Sequence, residues 1–409
     1  MKVMYFIFEG FDTTNGTNHL ALTTIQTFLD NGIDVYLVTS HSKGLFPDIP
    51  DSIGSRYGFT YSVIQRSKVE KKNFIQRYKD GIRYAYHASK EWRENAGGID
   101  AVVLQSTPTV FFSAFLLQRY LKKPVIFNSF DVFPDGPYLF GAIKSKAVFT
   151  VLSLMQDFVY KTSDRIVVIS DDMKQTLLKK HIESKKLVII PNWYDSSIIH
   201  EVEEEENLFI KKFSIDHSKF IVQYAGNFGY TFNYRAVIEV ASILKDSSEI
   251  EFHMIGTGGF EEEFKWEARN LPNIKFFPWQ ASNIINDVYS ACNLEFIPLS
   301  KGVIWTSFPS KCTMLMACGR TFLCMCEKQS EFYRFVNENK VGFCTSRDSY
   351  ERAAKIIWEL ASDREKLEQY EINAKRCGEE HYSSAVNAHK YVDVFREIVK
   401  NGEGKNGGI

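Results

Sequence analysis

The chain has 409 residues, long enough for two domains or one large one. Its hydrophobic share of 44% and charged share of 24% are those of an ordinary soluble globular protein, and a net charge of −1 excludes a global pull toward nucleic acid. All 7 cysteines fall from Cys292 onward and none forms a C-x-x-C pair, so neither a zinc ribbon nor a thioredoxin-type dithiol is expected.

Free thiols suit a reducing compartment, and no apolar run approaches the length of a membrane span, so a cytoplasmic protein is expected. The aromatic share of 14% is high; such residues fill cores and also line sugar and lipid sites. Residues 1–200 carry 24 basic against 19 acidic side chains, and residues 201–409 carry 25 against 31. A basic half joined to an acidic half suggests two bodies with different partners.

Residues 3–8 are continuously apolar, the pattern of a strand buried on both faces. A turn-forming stretch through Gly16 follows, then apolar residues at helical spacing (Leu20, Leu22, Ile25, Phe28, Leu29) and a stop at Gly32. With a strand at 35–39 this is a βαβ unit, and the Gly16 loop is a place where a ligand phosphate can meet backbone. The spacing is not the dinucleotide G-x-G-x-x-G pattern.

Residues 68–93 read as a basic, aromatic helix that includes Lys71, Lys72, Arg83, Tyr84, Tyr86, Trp92 and Arg93. It suits either a solvated helix with its aromatics on the core or one lying on anionic lipid headgroups. Strands are expected at 101–104 and 125–127, with a helix over 109–121. The second strand opens into a loop holding Asp131 and Asp135 among Pro and Gly residues. Ligands bind open α/β sheets at such strand ends, although the same residues are turn formers. Residues 138–160 are apolar behind Lys144 and Lys146, suited to covering the sheet or dipping into a membrane surface. Strands at 165–170 and 187–191 complete the first half, and the acidic run 201–207 marks a domain boundary.

The second half restarts the alternation. A strand at 220–225 ends in Gly226-Asn227-Phe228-Gly229, and one at 251–255 opens into Gly256-Thr257-Gly258-Gly259. A strand at 274–277 precedes Pro278-Trp279, and one at 294–299 leads to the segment 308–319. In that segment Pro309 and Ser310 suit a helix start and Gly319 its stop. The free N–H groups there, the Ser310 hydroxyl and the Lys311 ammonium make a site for a phosphate-type anion; the bland alternative is a crossover helix that carries a lysine. Helices fill 348–400, and the glycine-rich tail 401–409 is expected to be disordered. Repeated strand-then-helix order argues for parallel sheets. No i, i+4 histidine pair, metal-ligand cluster, G-x-S-x-G elbow or Walker loop is evident.

The order of these motifs resembles the retaining glycosyltransferases of the GT-B fold, family four, and more narrowly the bacterial members that build capsule or O-antigen polysaccharides. The matching pieces are the Gly16 loop, the loop at 131–135, Asp164-Arg165-Ile166-Val167-Val168-Ile169-Ser170 and Val188-Ile189-Ile190-Pro191-Asn192-Trp193. Tyr224-Ala225-Gly226-Asn227-Phe228-Gly229, Ile255-Gly256-Thr257-Gly258, Pro309-Ser310-Lys311 and Ala317-Cys318-Gly319 follow, spanning roughly residues 2–400 in all. The resemblance implies an α/β chain of two Rossmann-like βαβ domains facing a central cleft. Residues 1–200 would be the acceptor domain and 201–383 the donor domain, with a helix at 384–400 returning to the first. It implies transfer from a nucleoside diphosphate sugar to a lipid-linked or polysaccharide acceptor, with no metal ion or cofactor, in the cytoplasm or at the inner membrane face.

By the same resemblance Asp131 and Lys311 are the catalytic candidates. Gly16, Asn227, Gly229, Ser310 and Lys311 fall at the donor diphosphate. Gly256, Gly258, Trp279, Lys301, Trp305 and Thr306 fall at the nucleotide and sugar, and His19, Asp131 and Asp135 on the acceptor side. Stabilising the two charges that leave on the diphosphate is the main task of a metal-free site. The chain departs from the family at four positions. Asn227 and Asn233 stand where many relatives have Arg and Lys, and Thr306 and Met314 where many have glutamates. A methionine cannot accept a ribose hydroxyl's hydrogen bond as a carboxylate does. Two other readings therefore stay open: a non-catalytic GT-B partner subunit and a sugar-nucleotide epimerase.

Overall fold

The computed structural model describes residues 1–11, 17–42, 49–67, 74–95 and 97–406. The chain forms two compact units. Met1–Asp135, Ser145–Pro191 and Ser384–Ile409 make the first, and Gly136–Lys144 with Asn192–Ser383 the second.

The first unit is built on seven parallel strands among the described residues. They are β1 (Lys2–Phe6), β2 (Asp34–Ser42), β3 (Phe59–Arg66), β4 (Ala101–Gln105), β5 (Val125–Ser129), β6 (Arg165–Val168) and β7 (Leu187–Ile189). Their order is β3-β2-β1-β4-β5-β6-β7, so the winding reverses between β1 and β4. Val3, Met4, Tyr5 and Phe6 are all buried, as a strand covered on both faces requires. The helix Phe74–Asn95 turns Tyr84, Ala85, Ala88 and Trp92 to the sheet and leaves Arg83, Lys90 and Arg93 exposed. Trp92 meets Phe6 edge-on at 5.1 Å, and the Tyr84 hydroxyl donates to the Val38 carbonyl at 2.8 Å. Two of its aromatics thus serve the core. Lys71 and Lys72 lie outside the described residues.

The last helix, Ser384–Asn406, belongs to the first unit. Phe395 packs on Phe28 with ring centres 5.6 Å apart, and Glu397 pairs with Arg165. Residues 401–406, expected to be disordered, are helical. Gly402 lies against Pro124: a Cβ on it would come 3.3 Å from the proline ring. Residues 407–409 lie outside the described part.

The second unit carries β8 (Phe220–Asn227), β9 (Ile250–Thr257), β10 (Ile274–Phe277), β11 (Leu294–Pro298), β12 (Phe322–Cys326) and β13 (Phe343–Ser346). They form a parallel sheet in the order β10-β9-β8-β11-β12-β13. One face is filled by Val222, Phe252, Met254, Phe296, Leu323 and Met325 under Ala236, Val240 and Ile357.

The boundary falls after Pro191 rather than at 200–201. The Tyr194 N–H donates to the Tyr382 carbonyl at 3.0 Å, so the chain enters the second unit early. Nor is the acidic run a free linker: Glu201 pairs with Arg320 at 2.8 Å and Lys375 at 3.3 Å. The strands β3 and β13 carry no continuous apolar run and escape sequence reading. Both are edge strands, β3 partly exposed along its length and β13 only 4 residues long.

Candidate active site

The helix expected around Lys311 is short, Lys311–Ala317, with Pro309 and Ser310 before it rather than within its first turn. Ser310 is exposed and its side chain caps no N–H; its carbonyl accepts from the Thr313 hydroxyl at 2.8 Å. The helix buries Cys312, Leu315 and Met316 and stops at Gly319, whose φ of 63° is the left-handed conformation glycine accepts freely.

Lys311 does not point into solvent. Its Nζ lies 3.2 Å from the centre of the Tyr224 ring and 4.0 Å from a Glu295 carboxylate oxygen. The stem is partly exposed, but Nζ is shut away from water and has no hydrogen-bond partner. The side chain fits because residue 226 is glycine: a Cβ there would sit 2.5 Å from Nζ. Glu295, on β11, is fully buried and accepts from the Ala225 N–H at 2.8 Å and from Gln223 at 3.1 Å. Burial pushes the Glu295 carboxyl up to about 7, against the pull of Lys311. Burial pushes the Lys311 ammonium down to about 8, with Glu295 opposing. Sequence reasoning missed Glu295. Its signal was a lone carboxylate inside the apolar strand Leu294–Pro298.

The strand-end glycines serve backbone approach. Gly226 and Gly256 are partners across β8 and β9, and a Cβ on Gly256 would meet the Gly226 carbonyl at 1.9 Å. One on Gly258 would meet the Phe228 carbonyl at 2.4 Å and the Asn227 side chain at 2.6 Å, and one on Gly229 would meet Asn227 at 2.6 Å. The structure therefore brings Asn227, Gly229, Gly256 and Gly258 together at the carboxyl end of β8 and β9, with Lys311 against Gly226.

Trp279 is 60% exposed beyond the edge strand β10, with β9 between it and β8. Thr306 is buried, and its hydroxyl donates to the carbonyls of Gly302 and Val303 at 3.3 Å each, within its own helix turn Val303–Thr306. It is thus turned inward rather than toward a ligand. Trp305 is half-buried in that turn. Lys301 is exposed on a loop that is tied to the β8 loop by the Ser300 N–H on the Thr231 carbonyl at 3.0 Å.

In the first unit Gly16 lies outside the described residues. His19 is in the first turn of the helix Asn18–Asp30. That turn follows β1, where the winding reverses, and Gln105 from the end of β4 donates to the Thr17 hydroxyl at 3.2 Å. Asp131 is reached by solvent yet crowded by protein. The crowding raises its carboxyl to about 6. Asp135 is engaged: Lys180 donates to both its oxygens at 2.9 Å. The segment 138–160 splits between the short helix Asp135–Leu139 and the helix Lys146–Thr162. The latter leaves Val148, Val151 and Leu154 exposed, the last by 65%. No helix among the described residues is long and apolar enough to cross a membrane.

Two successive Rossmann-like parallel sheets are the architecture of GT-B glycosyltransferases, and the chain is an enzyme of that class. Two glycosyltransferase family models match it in succession. The Glycosyltransferase Family 4 model matches residues 14–197, and the Glycosyl transferases group 1 model matches residues 205–377. The chain is 24% identical over 311 residues to the probable glycosyltransferase WbjE of Pseudomonas aeruginosa, covering 73% of this chain and 75% of that one. It is 25% identical over 171 residues to the putative colanic acid biosynthesis glycosyl transferase WcaI of Escherichia coli, covering 41% of this chain and 42% of the relative. Its fold matches Anabaena HepE solved with UDP-glucose, with a TM-score of 0.71 at 13% identity, over 97% of this chain and all of that one.

Proposed function

We propose that the enzyme moves a sugar, with retention, from a nucleoside diphosphate sugar to a lipid-linked or polysaccharide acceptor, without a metal ion. The observation that carries this reading is the Lys311 ammonium, buried against Gly226 with no hydrogen-bond acceptor. A buried ammonium without an acceptor is unfavourable, and on swinging out from the Tyr224 ring it gains a diphosphate oxygen as its partner. As the glycosidic bond breaks, charge builds on the leaving diphosphate, so Lys311 stabilises the transition state more than the bound donor. Ser310, Asn227 and Gly229 stand close by to hold the phosphates, and Gly256 and Gly258 shape the floor for the nucleotide. Trp279, Lys301 and Trp305 act at the sugar or base.

On the acceptor side His19 and Asp131 orient the attacking hydroxyl. The leaving phosphate takes its proton, so no protein base is required. The solved UDP-glucose complex of HepE and the colanic acid biosynthesis in the name of WcaI support the donor and acceptor classes. The exposed Val148, Val151 and Leu154 beside Lys144 and Lys146 support a peripheral contact with the cytoplasmic face of the inner membrane, where a lipid-linked acceptor resides.

A panel of UDP-, GDP- and dTDP-sugars tests the donor clause. One of them is expected to bind and to be slowly hydrolysed at a rate unchanged by a chelator, and the anomeric configuration of the transferred sugar is read by NMR. If none binds or is hydrolysed, the reading fails.

A further inference from the structure

Three cysteines that take no part in the donor site converge on the second sheet. Cys324 and Cys326 are two residues apart on β12, so their side chains fall on one face. Cys344 is the register partner of Cys324 on β13. The three Sγ atoms lie within 4.8 Å of one another, and all three residues are buried. Their sequence spacing matches no standard ligand motif; only the strand pairing assembles them.

The surroundings hold this face in place. The Cys344 N–H donates to the Asn337 side chain at 3.1 Å. Ser330, whose hydroxyl accepts from the Tyr333 N–H at 3.1 Å, stands 3.9 Å from the Cys326 sulfur. On the opposite face of the same strand the packing is done by Leu323 and Met325.

We propose that Cys324, Cys326 and Cys344 form a binding site for a soft monovalent cation of the copper(I) type. The donor set is three sulfurs with no carboxylate or imidazole, and thiolate sulfur selects soft ions over the hard ions that oxygen binds. Structural zinc takes four ligands, whereas a monovalent copper ion accepts three. Metal–sulfur bonds of about 2.3 Å in a trigonal plane put the sulfurs about 4 Å apart, within the spacing already present. Each ligating thiol gives its proton to solvent as the ion enters. Cys326 ends β12, and the next residue, Glu327, accepts from the Gly302 N–H at 2.8 Å. An ion here therefore stiffens the base of the loop that carries Lys301 and Trp305.

The reduced full-length chain, free of oxygen, is titrated with copper(I) against a chromogenic copper(I) chelator, with zinc(II) in a parallel series. The expected result is one copper withheld per chain and a raised thermal midpoint. Both effects are lost in Cys326→Ser and in Cys344→Ser and kept in Cys318→Ser and Cys377→Ser, whose thiols are buried elsewhere. Circular dichroism of the ion-free variants checks that each is folded. A wild-type chain that withholds no copper overturns the proposal. So does a folded Cys326→Ser chain that withholds as much as wild type, or a chain that keeps zinc and rejects copper.

Discussion

The ammonium of Lys311 and the carboxylate of Glu295 lie 4.0 Å apart, out of contact with water, and no hydrogen bond joins them. Each charge is only partly compensated by the other. A buried pair in that state adds little to stability and changes protonation readily.

The first prediction is a two-armed pH dependence. Glu295 is raised from 4.5 to about 7, so the folded chain keeps a proton the unfolded chain has lost, and stability falls as pH rises across that interval. Lys311 is lowered from 10.5 to about 8, so between those values the unfolded chain holds the extra proton and stability rises with pH. Each arm is on the order of 3 kcal/mol at most, since one pKa unit is about 1.4 kcal/mol. Urea unfolding from pH 5 to 10 is expected to lose the first arm in Glu295→Gln and the second in Lys311→Met. Identical profiles for wild type and variants contradict the assignment.

Lys311→Met separates function from folding. Removing a desolvated ammonium is expected to leave the unfolding midpoint unchanged or raised, because Glu295 takes a proton to compensate. Donor turnover is expected to fall by roughly a hundredfold, the scale of one lost transition-state charge contact. Full turnover in the variant removes Lys311 from the mechanism. In wild type, nucleoside diphosphate affinity is expected to weaken as pH rises past about 8, where the ammonium discharges.

The two paired glycines are predicted to differ. A Cβ on Gly256 meets a backbone carbonyl at 1.9 Å, which only a main-chain shift relieves. Gly256→Ala is expected to destabilise the chain by roughly 3 kcal/mol or more. A Cβ on Gly226 meets the far end of a flexible lysine at 2.5 Å, so Gly226→Ala displaces Lys311. It is expected to weaken donor binding with a smaller loss of stability. Thermal melts and donor titrations compare the two.

Asp131 and Asp135 are predicted to part in the same way. Asp135→Asn breaks a two-oxygen pair with Lys180 whose side chains are each 20% exposed, an expected loss of about 1 kcal/mol that Lys180→Met reproduces. Asp131→Asn is expected to lower turnover and leave the melt unchanged.

Leu154→Glu places a charge on the most exposed apolar position of the helix Lys146–Thr162. It is expected to abolish flotation with vesicles rich in phosphatidylglycerol while leaving hydrolysis of a soluble donor intact. Equal flotation of both chains removes the membrane clause.

Strand-then-helix alternation, the glycine-terminated strands and the helix stop at Gly319 were legible because each is a local pattern of three to twelve residues with a local cause. The strands β3 and β13 were not, because β3 is half-exposed and β13 is only 4 residues, Phe343–Ser346, two of them polar, so neither carries an apolar run. Residues 192–200 read as part of the first half because nothing local marks Tyr194 as the partner of Tyr382.

By itself the sequence determined the class of fold and placed Lys311 beside a strand end, since periodicity and turn chemistry act over short range. Only the tertiary structure decided that the ammonium faces Tyr224 and Glu295, that Thr306 turns inward, that Asp135 is held by Lys180, and that three cysteines meet. Those outcomes depend on which strands lie side by side and which groups lose their water, and both are set by packing between residues far apart in the chain.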